Sequence, residues 1–194
     1  VLREVRPADG WAYAEDVPFK VSHDGTVDYV KMEDKPTHVV ISKQEITGSE
    51  ELPGCTLQVI DKNGNVVDEW FSTDQPHEIK EKLIADEEYT LREVRPADGW
   101  AYAEDIPFKV SHDGTVDQVK MEDKPTHVVV SKKKITGKEE LPGCHLVIKD
   151  KNGNVDEWTS STTPHEIVAK LIAGETYTLI EIRPADGYSV AESI

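Results

Sequence analysis

A long and nearly exact repeat constrains this chain more than any other feature of its sequence. Residues 2–48 align with residues 91–137 at a spacing of 89 residues, with five substitutions. A third copy starts at Tyr177, where YTLIEIRPADGY repeats the YTLREVRPADGW that starts at Tyr89. This period exceeds the about 20–50 residues of solenoid repeats, so we expect tandem domains that each form a core.

Proline marks the joint between successive repeats. The tripeptide Lys35-Pro36-Thr37 recurs as Lys124-Pro125-Thr126, and proline cannot donate a hydrogen bond to a strand ladder. Cutting there gives one complete unit, 37–125, with the C-terminal half of a preceding unit, 1–36, before it. The N-terminal portion of a following unit, 126–194, comes after it. We expect neither flank to fold alone, since pieces of this size bury too little surface.

Strand and turn signals alternate throughout the complete unit. Apolar alternation predicts strands at residues 38–43, 55–60, 66–70, 89–93, 106–110 and 116–123. The Asn63-Gly64 pair predicts a tight hairpin, and His112–Thr115 predicts a second one. Residues His77–Ile84 have mildly helical spacing, which predicts a short turn of helix or a loop. The fold class that this pattern indicates is all-β, with tandem immunoglobulin-like β-sandwich domains.

The charge balance excludes several classes of function. The chain has 22 Lys and Arg against 38 Asp and Glu, a net charge of -16, whereas nucleic acids and anionic membranes attract basic surfaces. No apolar run approaches the length of a membrane span. There is no glycine-rich phosphate loop, Ser/His/Asp signature or zinc-ligand spacing. We therefore expect no nucleic-acid partner, no membrane insertion, no cofactor, no metal ion and no turnover of an external substrate.

The two cysteines, Cys55 and Cys144, occupy equivalent positions of the repeat. One thiol per repeat is not a disulfide framework. Cys55 shares strand parity with Leu57 and Val59, which favours packing inside as a small apolar group over a functional role.

Three charged residues share strand faces with apolar residues. They are Lys43 in the first predicted strand, Glu93 in an interior strand and Asp123 in the last. The apolar residues on those faces are Val39 and Ile41, Tyr89 and Leu91, and Val119 and Met121. Buried charges cost several kcal/mol each unless they pair or become neutral. A lone inward glutamate is usually satisfied by backbone donors, but three such groups in one sandwich indicate that they meet.

Burial makes a neutral amine and a protonated acid accessible together. An unprotonated amine held against a protonated carboxyl can attack it and expel water, giving an amide, while a second acid transfers the protons. The product removes two charges from the core. One lysine with two acids leaves a surplus negative charge, which favours one carboxyl that holds a proton.

At this level of detail the chain resembles the collagen-adhesin B-type (CnaB) domains of Gram-positive surface proteins and pilins, also called SpaA-type prealbumin-like domains. The motifs that carry the resemblance are ordered and correctly spaced along the whole chain. They are Ser42–Gly48, Glu51–Cys55, Asp61–Asn65, Tyr89–Glu93 followed by Pro96–Trp100, and Met121–Pro125. In that family a first-strand lysine forms a spontaneous isopeptide bond with an asparagine or aspartate of the last strand, assisted by an acid in the YTLxE motif.

The resemblance implies a role for each matching residue. Lys43 would be the amine, Asp123 the acyl partner and Glu93 the proton shuttle. Lys132 and Glu181 are the equivalents in the third unit, whose acyl residue would follow Ile194. Glu4 and Asp34 are the equivalents in the first unit, whose lysine would precede Val1. The family commonly has asparagine where Asp123 stands, so the sequence leaves open an isopeptide bond or a buried salt bridge.

The resemblance implies a structural stalk or spacer repeat of a Gram-positive cell-surface adhesin or pilus, extracellular and anchored to the cell wall. An isopeptide bond would tie the first strand to the last, with an entropic gain of about 4 kcal/mol by analogy with a disulfide. Its partners would be neighbouring repeats of the same protein. Two alternatives stay open: a module that binds a host or partner-cell ligand, and a fibre subunit in which half domains of adjacent chains complement each other. In the latter, Lys132 would cross-link to Asp34.

Overall fold

The structure, a computed structural model, describes all residues from Val1 to Ile194 and contains twelve β-strands. The chain divides into two compact units. The first comprises Val1–Arg95 and Ala103–Asp123, and the second comprises Pro96–Tyr102 and Lys124–Ile194. No helix has the length and apolar character that a membrane crossing requires. The prediction of an all-β chain of tandem sandwiches is confirmed, while the domain boundaries at residues 36/37 and 125/126 stay predictions.

The first unit is a sandwich of two sheets. Its strands are β1 (His38–Glu45), β2 (Thr56–Asp61), β3 (Val66–Phe71), β4 (His77–Lys80), β5 (Glu88–Arg95), β6 (Ile106–Lys109) and β7 (Val116–Asp123). One sheet has the order β4-β1-β7 and the other the order β3-β2-β5-β6. All pairs are antiparallel except β1 with β7, which run parallel in register from His38 opposite Val116 to Glu45 opposite Asp123.

Period-two alternation places the core of this unit between the sheets. Every second residue is buried along β1 up to Lys43, along β5 up to Glu93 and along the second half of β7, as expected for strands with one face on a core. Fully buried apolar residues come from both sheets, and each contributes roughly 1.5–3 kcal/mol to folding. They include Val39, Ile41, Leu57, Val59, Leu91 and Met121.

The expectation of a helical turn or loop at His77–Ile84 was wrong for its first half. Residues His77–Lys80 form β4, which pairs with β1 and buries Ile79 opposite Val39. Glu81 then has a φ of 53°, which ends the strand and is incompatible with a helix. The four-residue spacing of Ile79 and Leu83 looked helical because one belongs to a strand and the other to the following loop.

The turn at His112–Thr115 does not form the expected hairpin. The strand before it, β6, pairs with β5 in one sheet, and the strand after it, β7, pairs with β1 in the other. This turn therefore carries the chain between the two sheets. The Asn63-Gly64 hairpin, by contrast, joins the paired strands β2 and β3 as predicted.

The second unit has two smaller sheets. Its strands are β8 (His127–Val130), β9 (His145–Lys149), β10 (Asn154–Thr159), β11 (His165–Val168) and β12 (Thr178–Arg183). β11 pairs with β8, and the other sheet has the order β10-β9-β12. Cys144 and Leu146 pack in one buried cluster, and Ile148 and Ile167 pack in a second.

Residues 1–36 contain no strand, although residues 2–36 repeat residues 91–125 with two substitutions. Only the isolated bridges Leu2 with Val17 and Trp11 with Pro36 occur there. Residues 27–34 match β7 in sequence except for Tyr29, yet they form no strand, and Tyr29 is 92% exposed. A strand of this sequence therefore forms only where a partner like β1 is present.

In each unit, the threonine that precedes the first strand donates hydrogen bonds to the carbonyl of a glycine in a turn. We call this set of hydrogen bonds the clasp. In the first unit, the amide and hydroxyl of Thr37 both donate to the carbonyl of Gly10, at 2.9 and 3.0 Å, and the hydroxyl also reaches Leu83 O at 2.8 Å. Gly10 has a φ of 86°, and a Cβ there would collide with the carbonyl of Glu81. Thr126, Gly99, Leu171 and Ala169 repeat this arrangement in the second unit.

Candidate functional site

The three predicted residues of the complete unit meet inside the sandwich. Lys43 lies on β1 and Asp123 on the adjacent strand β7, while Glu93 comes from β5 in the facing sheet. Their exposed fractions are 2%, 1% and 6% respectively, so all three are buried. Alternation places them there because each continues the apolar face of its strand. The cluster thus joins the first strand, the last strand and the opposite sheet.

Lys43 contacts both carboxylates. Its Nζ donates to Oδ1 of Asp123 and lies 2.9 Å from Oε1 of Glu93. The second contact has the distance of an ion pair but not the angles of a hydrogen bond, and Oε1 accepts no hydrogen bond. The amine therefore lies beside the carboxyl that it would attack, and an uncommitted oxygen of Glu93 faces it.

The second oxygen of Glu93 is anchored by the backbone. Oε2 accepts a hydrogen bond from the amide of Ala103 at 2.8 Å. The same contact holds Glu4 through Ala14 at 2.9 Å and Glu181 through Ala191 at 2.6 Å. Sequence reasoning missed these amide donors, although their constant separation of ten residues from the glutamate was visible in the repeats.

Asp123 has the electrostatics of a carboxyl that can hold a proton near neutral pH. Burial raises the pKa of Asp123 to about 6, Lys43 opposes this rise, and the nearby Glu93 adds to it. A protonated carboxyl is the form that can lose water to an amine.

The ELPGC segment fixes the backbone on either side of the site, which sequence reasoning also missed. The carboxylate of Glu51 accepts from the amide of Lys43 at 2.8 Å, and the amide of Leu52 donates to the carbonyl of Lys43 at 2.6 Å. The buried hydroxyl of Ser72 then links Leu52 O, at 2.7 Å, with the amide of Cys55, at 2.8 Å. The sequence did contain a sign of this contact, because the eight-residue spacing between Lys43 and Glu51 is repeated between Lys132 and Glu140.

The partial copies of the site are incomplete within this chain. Lys132 lies 3.1 Å from Oε1 of Glu181, and no aspartate joins them. Burial alone would raise the pKa of Glu181, but the Ala191 amide, the Cys144 thiol and the Lys132 ammonium together lower it. Glu4 is half-buried and Asp34 is exposed, so these two predicted residues do not form a site together.

A metal ion has possible ligands in the complete site, but the charge there opposes it. The Cys55 thiol and the Glu93 and Asp123 carboxyls have ligand atoms within 4.8 Å of one another. The ammonium group of Lys43 already contacts both carboxyls, and its charge disfavours a second cation.

Comparison with known families identifies the fold. A family model described as SpaA, prealbumin-like fold domain, matches residues 37–125 and 126–194. The chain belongs to this family. No curated protein matches the SpaA-family chain. The predicted resemblance to SpaA-type repeats is thereby confirmed for the fold and the family.

Several solved structures are similar to the chain at low sequence identity. The Bacillus anthracis TIE protein is 19% identical with a TM-score of 0.51, over 99% of the SpaA-family chain and 38% of that protein. The shaft pilin SpaA from Lactobacillus rhamnosus GG is 15% identical with a TM-score of 0.39, over 81% and 91% of the two chains. A streptococcal ancillary pilin is 17% identical with a TM-score of 0.43, over 100% and 69%.

Proposed function

We propose that this chain is a structural stalk or spacer repeat of a Gram-positive cell-surface adhesin or pilus. In this proposal an autocatalytic isopeptide bond between Lys43 and Asp123 locks the complete sandwich. The observation that carries the proposal is the buried cluster in which Lys43 contacts Glu93 and Asp123 at once. Membership of the SpaA family supports the role in a surface fibre.

The reaction is a single condensation within the protein and has no external substrate. A proton moves from the Lys43 ammonium to the Asp123 carboxylate, which gives a neutral amine beside a carboxylic acid. Nζ of Lys43 then attacks Cγ of Asp123, and a C–N bond forms. Glu93 removes a proton from the nitrogen and delivers one to an Asp123 oxygen, so the C–O bond breaks and one water leaves. The amide that remains carries no charge and needs no counter-ion in the core.

The position of the cross-link suits a protein under tension. β1 and β7 are parallel, so a pull on the N-terminal end of β1 and the C-terminal end of β7 shears them along their length. With the bond in place, force entering at β1 would cross at Lys43 and leave directly after Asp123. The remainder of the sandwich would then bear no load.

An accurate intact mass of the chain tests the proposal. We expect a mass one water below that of the sequence, since only the 37–125 unit contains all three residues. The variants Glu93→Gln and Lys43→Ala should have the full mass. Lys132→Ala should still lose one water, because it alters only the incomplete copy of the site. A full mass for the unaltered chain would refute the cross-link.

Self-assembly is a second candidate, favoured by two unpaired strand edges. β8 pairs only with β11, whereas its counterpart β1 also pairs with β7. Residues 27–34 have the β7 sequence and no ladder partner. In this candidate, residues 27–34 of one chain would join β8 of another and bring Asp34 to Lys132. Ladders on a denaturing gel that disappear with Lys132→Ala would support it, and a single monomer band would contradict it.

A further inference from the structure

The thiol of Cys55 contacts the carboxyl of Asp123, the acyl partner in the proposed isopeptide bond. Its Sγ is fully buried and lies 3.7 Å from Oδ2 of Asp123, within the range of a hydrogen bond to sulfur. Lys43 contacts the other oxygen, Oδ1. The two oxygens of this carboxyl therefore face different groups, one the amine and one the thiol.

The backbone of Cys55 is held on both sides by one serine. The amide of Cys55 donates to Oγ of Ser72, and the amide of Ser72 donates to the carbonyl of Cys55, each at 2.8 Å. The hydroxyl of Ser72 donates in turn to Leu52 O at 2.7 Å. A fully buried side chain on a backbone fixed in this way has little freedom to turn from the carboxyl.

The second unit repeats the arrangement around its own acid. The amide of Cys144 donates to Oγ of Ser160 at 2.9 Å, and the amide of Ser160 donates to the carbonyl of Cys144 at 2.7 Å. There the Cys144 thiol is among the groups that lower the pKa of Glu181, the glutamate of that unit. The backbone arrangement that fixes the thiol is thus common to both units, and only the first unit places an aspartate beside it.

A carboxylate oxygen of Glu93 also faces the amine. Oε1 is buried and lies 2.9 Å from Nζ of Lys43 without the angles of a hydrogen bond, which places it for the proton transfers. For Oδ2 of Asp123, the donor is the thiol of Cys55. Without the thiol, this buried carboxyl would lose a hydrogen bond that holds it in one orientation.

We propose that Cys55 is a positioning residue for isopeptide formation. Its S–H donates to Oδ2 of Asp123 and orients the carboxyl so that Cγ faces the amine of Lys43. The thiol forms no covalent bond, and the condensation has the same balance as before, with one water lost. This inference rests on the proposed cross-link. A neutral hydrogen bond of ordinary net strength corresponds to about a fivefold effect on the closing rate.

The rate of closure can be measured from a chain that has never folded. The full chain is assembled from synthetic segments in guanidinium, folding is started by dilution, and samples are stopped in acid at intervals. Intact mass gives the fraction that has lost one water, and tryptophan fluorescence follows folding separately. We expect Cys55→Ala to close about fivefold more slowly at an unchanged folding rate. Cys55→Ser should restore the rate, because a hydroxyl also donates.

The matched control is Cys144→Ala, the same change in the unit that contains no acyl residue, and it should close at the unaltered rate. Two results would overturn the proposal. One is a Cys55→Ala chain that closes as fast as the unaltered chain. The other is a Cys55→Ser chain as slow as Cys55→Ala, since this would make the contribution of Cys55 one of packing alone.

A second measurement separates this proposal from the cross-link itself. If the unaltered chain never loses water, the proposed function fails. The hydrogen bond is then tested by the infrared S–H stretch in a Cys144→Ala background, where Cys55 is the only thiol. We expect the band at lower wavenumber than in the same chain with Asp123→Ala. Identical bands in the two chains would refute the contact between the thiol and the carboxyl.

Discussion

Replacing Glu93 by glutamine should convert the complete sandwich from inextensible to extensible under force. Glutamine keeps the shape of the side chain and can still accept from the Ala103 amide, but it cannot transfer the protons of the condensation. The fold is therefore retained and only the covalent tie is lost. This separates the mechanical role of the bond from the packing of the core.

The expected lengthening follows from the position of the bond in the chain. Lys43 and Asp123 are separated by 80 residues. An extended chain spans at most about 3.3–3.6 Å per residue, so release of this segment adds about 270 Å of contour length. In the cross-linked protein the same event is absent, since force bypasses every residue between the two.

Single-molecule force spectroscopy, with the full chain held at its two ends, measures this difference directly. Traces of the Glu93→Gln chain should contain one unfolding step of about 270 Å that the unaltered chain lacks. The matched variant Glu181→Gln makes the same change in the second unit and should not add the step. The appearance of this step in the unaltered chain, or its absence from Glu93→Gln, would refute the reasoning.

The remaining predictions concern the proton, the core and the backbone around the site. The proposed reaction starts from a Lys43 ammonium beside an Asp123 carboxylate, and burial raises the pKa of Asp123 to about 6, so closure should slow as pH falls below 6 and the carboxylate gains a proton of its own; a rate that increases from pH 6 to pH 4 would contradict this. In denaturant titrations, Leu91→Ala should lower the free energy of unfolding by about 2–5 kcal/mol, whereas Val94→Ala, on an exposed position of the same strand, should change it by less than about 0.5 kcal/mol. Ser72→Ala leaves the buried amide of Cys55 and the part-buried carbonyl of Leu52 without their partner and should cost about 1–3 kcal/mol by the same method, while Thr73→Ala at the exposed neighbouring position should be nearly neutral.

Much of this architecture could be predicted because its signals are local. Two-residue alternation identified the buried faces of β1, β5 and β7, and with them the burial of Lys43, Glu93 and Asp123. The Asn63-Gly64 pair identified a hairpin because that turn requires particular backbone angles.

The features that could not be predicted depend on contacts between distant segments. β4 exists because β1 offers it an edge, and β6 and β7 lie in different sheets although a turn joins them. Residues 27–34 differ from β7 at one position only, yet β7 is a strand beside β1 and residues 27–34 are not a strand. The alternation of Cys55 with Leu57 and Val59 likewise predicted that Cys55 is buried. The distance between its thiol and Asp123, however, depends on how the two sheets pack.

The clasp at the start of each unit has a consequence for how such a protein varies over generations. The glycine turn comes from the end of one copy of the repeat, and the threonine that it holds opens the next copy. Because both partners are copied together, any copy can follow any other without a mismatched junction. Recombination between the near-identical segments can therefore insert or delete one whole copy at a time, and the array of repeats changes in length while every surviving junction keeps its hydrogen bonds.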